Sequence, residues 1–185
     1  MSLRKAGLTG FFLLSMAPSP SFAETAAHLG RALQAEPSAT KVLQAYCARL
    51  APGVPVTAIA LPSDDRPPPT VLRERFALRQ DETIRVRHVS LRCGIIVLSD
   101  AWNWYIPQRL TADMNRQLET TNTPFGRVVS GLGFARHAIS SETEALPAGV
   151  FLRNTAMLTR SADGLPFSLV VENYQSAGFE ALPPL

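Results

Sequence analysis

Two arginines and one glutamate carry most of the chemistry this chain can offer, and each sits among neighbours that want burial. In Thr83 to Arg92 the pattern alternates: Ile84, Val86 and His88 face one way, and Arg85, Arg87, Val89 and Leu91 the other. Arginines on a strand ordinarily face solvent. Sharing a side with Val89 and Leu91 places Arg85 and Arg87 at the edge of a partly covered face, where a planar guanidinium matches a carboxylate bidentately. Glu172 is of the opposite kind, lying in the stretch LPFSLVVENY on one side with Ser168 and Val170. Burial favours the neutral form of a carboxyl unless a cation offsets it. Glu172 therefore suits either proton handling or a structural ion pair with a strand arginine. A third feature is Thr123-Pro124-Phe125-Gly126-Arg127. Proline fixes one φ and glycine permits close approach, so backbone N–H groups near Phe125 and Gly126 can face an anion; the same pattern also serves as a plain turn.

These residues need a scaffold, and the sequence outlines one. Glu24 to Glu36 reads as a helix with Ala26, Leu29, Ala32 and Leu33 on one face, although Gly30 interrupts it. Ser38 is placed to cap a second helix carrying the stripe Val42, Leu43, Tyr46, Cys47 and Leu50. Val54 to Leu61 reads as a strand, Ser63 to Pro69 as a surface loop, and Thr70 to Leu78 as either a short helix or a strand. The second half reads as antiparallel sheet. Thr83 to Arg92 turns at Cys93-Gly94 and returns through Ile95 to Ile106. A helix over Thr111 to Thr121 follows, then a strand from about Arg127 to Ala138, then a hairpin of Val150 to Arg160 and Phe167 to Tyr174. The expected class is α+β.

Taken in order, these features resemble the chorismate pyruvate-lyase family over about Ile84 to Tyr174. Arg87-His88-Val89 is similar to that family's Arg-Glu-hydrophobic strand opening, and Trp104-Tyr105-Ile106-Pro107 to its strand-ending hydrophobic pair and proline. Thr123-Pro124-Phe125-Gly126-Arg127 resembles its Thr-Pro-Leu-Gly-Arg loop, and Gly164-Leu165-Pro166 followed by Glu172 its last turn and strand. The resemblance implies a six-stranded antiparallel sheet with helices packed on it and an enclosed ligand cavity. It implies loss of pyruvate from chorismate to give 4-hydroxybenzoate, with no cofactor and no metal. Arg87, with Arg85 beside it, would pair with a substrate carboxylate. The N–H groups near Phe125 and Gly126 would hold carboxylate oxygens, and Glu172 would bond the ring hydroxyl and assist proton transfer. Asn103 stands where members often place a further arginine. Pro166 and Glu172 lie one residue further apart than in that pattern, so an inward Glu172 requires a bulge. Two other functions fit the same residues. One is a non-catalytic module of the same fold that binds a small carboxylate or aromatic acid. The other is an envelope-associated structural protein that uses Trp102, Trp104 and Tyr105 as an exposed face.

Composition sets the context. The chain has 185 residues, 46% of them hydrophobic, and a net charge of +3. Residues 1–23 have the layout of a secretory leader: Arg4 and Lys5, an apolar run from Ala6 to Ala17, Pro18-Ser19-Pro20, and small residues at Ser21 and Ala23 before Glu24. The apolar run is shorter than the ~20 residues of a membrane-spanning helix, and an uncleaved amphipathic helix is the alternative. Cleavage would leave residues 24–185 as a single domain of net charge +1, periplasmic or secreted, with no stable membrane insertion. So small a charge gives nucleic-acid binding no support. In an oxidising compartment Cys47 and Cys93, the only cysteines, form the available disulfide, the alternative being two buried thiols. No CxxC or HxxxH spacing points to a metal, and His28, His88 and His137 are scattered.

Overall fold

Alternation along the arginine-bearing strand and its return partner builds the centre of one sheet. The computed structural model describes residues 22–62 and 71–180. In it β2 (Arg85–Cys93) and β3 (Ile96–Tyr105) are joined by a tight turn at Gly94. That glycine has φ 57°, a region that side chains with a Cβ rarely occupy. Around this hairpin lie β1 (Val56–Ala60), β4 (Phe134–Glu142), β5 (Val150–Arg160) and β6 (Pro166–Gln175). The six strands form one sheet in the order β1-β2-β3-β6-β5-β4, all pairs antiparallel. The α+β class is the one the sequence pattern predicts, and the six-stranded antiparallel sheet is the one the resemblance implies.

Residues directly opposite one another on neighbouring strands share a face. One row runs Arg87, Asn103, Val170, Ala156; the next contains Ala101, Glu172 and Asn154. A bulge at the start of β6 decides which way Glu172 points. Pro166 pairs with Thr159 while Ser168 pairs with Leu158, leaving Phe167 as an extra residue. Without it the parity of β6 would reverse and Glu172 would point to the opposite face.

Helices cover the face that carries Arg87 and Glu172. α1 (Phe22–Ala35) and α2 (Ala39–Leu50) bury Leu29, Leu33, Leu43 and Tyr46 against Val89, Leu91, Ala101 and Leu152. Ser38 caps α2, its side chain accepting from the Lys41 N–H, as the spacing predicts. Cys47 of α2 and Cys93 at the end of β2 form a disulfide with Cα atoms 5.4 Å apart, clamping the helix to the sheet. α4 (Ala112–Thr120), capped by Thr111, and α5 (Phe125–Val128) pack Leu118, Phe125 and Val128 near Tyr105, Leu158 and Phe167. On the opposite face α3 (Val71–Arg75) brings Leu72, with Phe76 beyond it, over Trp102, Trp104, Met157 and Leu169.

Several expectations need correction. The strand expected from Arg127 begins only at Phe134; Phe125–Val128 is α5 and Val129–Leu132 a 3-10 turn. Pro124 supplies an extended cap for that helical turn, and Gly133 at φ 56° redirects the chain into β4. A short helix, α6 (Ser176–Glu180), was not foreseen. Its Gly178 lies so close to β3 that a Cβ there would run into the Val97 carbonyl oxygen, and Phe179 fits among Tyr46, Phe151 and Tyr174. Trp102, Trp104 and Tyr105 are all buried, so they are core and not an exposed docking face. The leader pattern up to Ser21 and the Ser63 to Pro69 loop lie outside the described residues. Among the described residues no helix is long and apolar enough to cross a membrane.

Candidate functional site

Between the sheet and the helices lies a small chamber. Its floor is Val89, Leu91, Ala101, Asn103, Val170 and Glu172 of the three central strands, extended by Leu158 of β5 and Arg136 of β4. Its roof is the Pro37–Thr40 entry to α2 together with Phe125 and Gly126 of α5, with Phe134 at the side. The free volume is about 30 Å³, enough for ordered water, so an aromatic ring could enter only by displacing the roof.

Chamber chemistry centres on Glu172. Arg136 Nη2 donates to Glu172 Oε2 at 2.5 Å, and the Tyr174 hydroxyl donates to the same oxygen at 2.9 Å. Both side chains of the pair are 7% exposed. No hydrogen bond among the described residues engages Glu172 Oε1, Arg136 Nε or Nη1, or the Asn103 amide, and all three residues line the chamber. Burial would by itself lower the Arg136 pKa, but the Glu172 charge and Tyr174 outweigh it and raise it, keeping the guanidinium charged. Burial pushes the Tyr174 phenol well up, and the neighbouring Glu172 charge adds to this, so Tyr174 acts as a neutral donor.

Not all of the residues singled out from sequence come together. Glu172, Asn103, Phe125 and Gly126 line the chamber. Arg87 does not, although it pairs across strands with Asn103. Its Nη2 donates to the Thr121 carbonyl at 3.2 Å, and its buried Nη1 has no hydrogen-bond partner among the described residues. Burial lowers the Arg87 pKa, with Tyr105 opposing. Arg85 lies outside: its side chain is 55% exposed and pairs with Glu119 of α4. Arg136, the cation that meets Glu172, was missed. The signal was present, since Arg136 shares strand parity with Phe134 as Arg87 does with Val89. The ion pair with a strand arginine, one of the two roles open to Glu172, is the arrangement found.

A second cavity lies across the roof. This outer cleft, of about 570 Å³, is lined by Glu36, Lys41, Gln44, Arg127, Ser130 and Ser161. It shares Pro37, Ser38, Thr40, Gly126 and Phe134 with the chamber, so these five residues form the partition between the two. The partition is tight at Gly126, where a Cβ would lie 2.9 Å from Ser38 Oγ and 3.0 Å from Thr40 Oγ1.

Two other polar clusters sit away from the chamber. Arg109 grips Glu82 bidentately, at 2.8 Å from Nε and 2.6 Å from Nη2, and also donates to the carbonyls of Phe76, Ala77 and Pro166. This buried pair ties the segment after α3 to the start of β6. His88 stacks on Trp102 at 3.7 Å and meets Asp100 at 2.6 Å on the opposite face of the sheet. Among the described residues no group of three or more His, Cys, Asp or Glu side chains could hold a metal ion.

Comparison with known proteins places the chain beside a relative of unassigned activity. It is 36% identical over 172 residues to the uncharacterized protein y4mC of Sinorhizobium fredii (strain NBRC 101917 / NGR234), covering 80% of this chain and 72% of y4mC. No protein-family model matches. Among solved structures, YydK of Bacillus subtilis subsp. subtilis str. 168, described as a possible transcriptional regulator, aligns with TM-score 0.44 and 18% identity. That alignment covers 72% of this chain and 61% of YydK, so the chain spans about three fifths of that protein. The SA0254 gene product of Staphylococcus aureus subsp. aureus N315 aligns with TM-score 0.40 and 14% identity, covering 65% of this chain and 83% of that one. None of these is described as a chorismate lyase, and the assignment to that family is withdrawn. The geometry agrees with the correction: Arg85 and Arg87 are outside the chamber, and Glu172 is already held by Arg136 and Tyr174.

Proposed function

We propose, for a chain that belongs to the family of the Sinorhizobium fredii protein y4mC, that it is a binding module for a small carboxylate-bearing molecule and that it works outside the cytoplasm. The observation that carries the binding reading is Arg136. A guanidinium 7% exposed that lines the chamber, with one nitrogen on Glu172 and two unbonded among the described residues, keeps donors that a ligand carboxylate could take up. The unbonded Asn103 amide on the chamber floor adds a donor and an acceptor. A compact acid would set its carboxylate against the free edge of the Arg136 fork and bond Asn103. The free volume favours a ligand of few heavy atoms over a ring. The geometry favours binding over catalysis in one respect: Glu172 Oε2 is already committed to two donors, Arg136 and Tyr174.

Titration of the purified protein with acetate, propionate, lactate and benzoate, followed by calorimetry and thermal shift, tests this. One or more of the three compact acids should stabilise the protein, and Arg136→Lys, which keeps the charge but loses the fork, should weaken binding at least tenfold. Absence of binding at millimolar concentrations, or binding indifferent to Arg136→Lys and Asn103→Ala, would overturn the reading. Export is supported by the leader pattern in residues 1–23 and by the buried disulfide, a feature of oxidising compartments. Sequencing the N-terminus of the protein recovered from fractionated cells tests it; an intact leader on cytoplasmic protein would count against export.

A further inference from the structure

The charge balance of the chamber narrows the class of ligand. Arg136 and Glu172 are the only charged side chains among its lining residues, and they are bonded to each other, so the lining as a whole is neutral. A simple carboxylate bound there would leave a buried excess of one negative charge, close to the unbonded Glu172 Oε1, at a place where solvent screening is weak. A ligand that also presents a positive charge to Oε1 leaves no excess. Arg87 is another cation on this face. It lies outside the lining, and its guanidinium is turned to the Thr121 carbonyl at the C-terminal end of α4, where a cation is favoured.

We propose, resting on the small-carboxylate reading above, that the chamber selects a small zwitterion, an α-amino acid with a short side chain. Its carboxylate takes the free edge of the Arg136 guanidinium, its ammonium donates to Glu172 Oε1, and Asn103 bonds whichever group remains unsatisfied. The single 2.5 Å bond between Arg136 and Glu172 holds the two partners side by side, at a spacing that suits two opposite charges on groups joined to one ligand carbon. The free volume of about 30 Å³ holds water alone, so the zwitterion displaces that water and part of the roof, which favours a side chain no larger than methyl. Entry runs from the outer cleft through the partition at Ser38, Thr40 and Gly126, the boundary shared by both cavities.

The test compares three acids of one skeleton, L-alanine, L-lactate and propionate, with glycine as a smaller zwitterion, by calorimetry on the whole protein. Alanine should bind at least tenfold more tightly than propionate, with lactate between them, because its hydroxyl can donate to Oε1 but carries no charge. In Glu172→Gln the excess charge becomes positive, and propionate and lactate should then match or exceed alanine. Equal or tighter binding of propionate by the native protein would overturn the proposal while leaving the carboxylate reading intact. Binding of none of the four would overturn both. Should Glu172→Gln fail to fold, the ranking on the native protein decides alone.

Discussion

Reducing the Cys47–Cys93 bond should cost this protein about 4 kcal/mol. The bond joins residues 46 apart, and the chain-entropy relation for a loop of that length gives about 4 kcal/mol at 25 °C. Reduction is a cleaner perturbation than substitution. It leaves both sulfur atoms in the cluster with Leu43, Val56 and Leu91, so little packing is lost and the loop term is isolated. Each kcal/mol moves the midpoint of a domain of this size by about 2–4 °C, so Tm should fall by roughly 8–16 °C. Urea unfolding followed by circular dichroism, with and without reductant, measures the change directly. The m-value should rise on reduction, because the released unfolded chain expands and exposes more surface. The Cys47→Ala, Cys93→Ala double variant should lose slightly more, having also lost two buried sulfurs. A reduced protein within about 1 kcal/mol of the oxidised one, at unchanged m, would refute the reasoning, since closing this loop would then not be what restrains the unfolded chain. Protein made in the cytoplasm without residues 1–23 should show the reduced behaviour until it is oxidised.

Acid should find the Glu82–Arg109 pair. The Arg109 hydrogen bonds hold the Glu82 carboxyl down at about 2 from an ordinary 4.5, against the opposing effect of burial. Its contribution to stability is therefore fully present above pH 4.5 and lost as pH falls from there towards 2. Stability measured across that window should fall more steeply for the native protein than for Glu82→Gln; parallel curves would count against the pairing. At neutral pH Glu82→Gln should itself cost about 3–5 kcal/mol, because Arg109 is left buried without its counter-charge. Gly126→Ala should destabilise by roughly 1–3 kcal/mol, since Ser38 Oγ cannot move aside without releasing its cap on α2. Ser38→Gly, which preserves most of a cap's worth, should recover part of that loss, and additive effects in a double-mutant cycle would show that the partition is looser than described. Gly178→Ala meets the Val97 carbonyl and should release α6, seen as faster hydrogen exchange at Phe179; unchanged exchange would argue against the close approach.

Local rules reached far into this fold. Period-two alternation read Arg87, Val89 and Leu91 onto one face and Val86 and His88 onto the other, and the pairing of β2 with β3 has that parity. Ser38 marked the start of α2 because a hydroxyl ahead of an amphipathic run satisfies free N–H groups wherever it occurs, and α4 begins one residue after the expected Thr111, which caps it. The turn at Gly94 and the break before Phe125 were equally local. The stretch after Phe125 was not. Val128, Val129 and Leu132 suit a strand by type, yet Pro124 starts a helical turn and packing against Tyr105 and Leu158 keeps the following residues compact. α6 likewise depends on contact with β3 at Gly178, about eighty residues away in the chain, and no local pattern encodes that contact.

The sequence by itself determined which side chains of β2 share a sheet face, where α2 and α4 begin, and that Glu172 lies in a stretch destined for burial, because those properties follow from neighbours within a few residues. Tertiary structure decided which arginine reaches Glu172. Arg87 and Arg85 are on β2, two strands from β6, and α4 takes up both through Thr121 and Glu119. Arg136 starts on β4, two strands away on the other side, and reaches inward across β5. Strand order sets those reaches, and it arises from contacts between residues far apart in the chain.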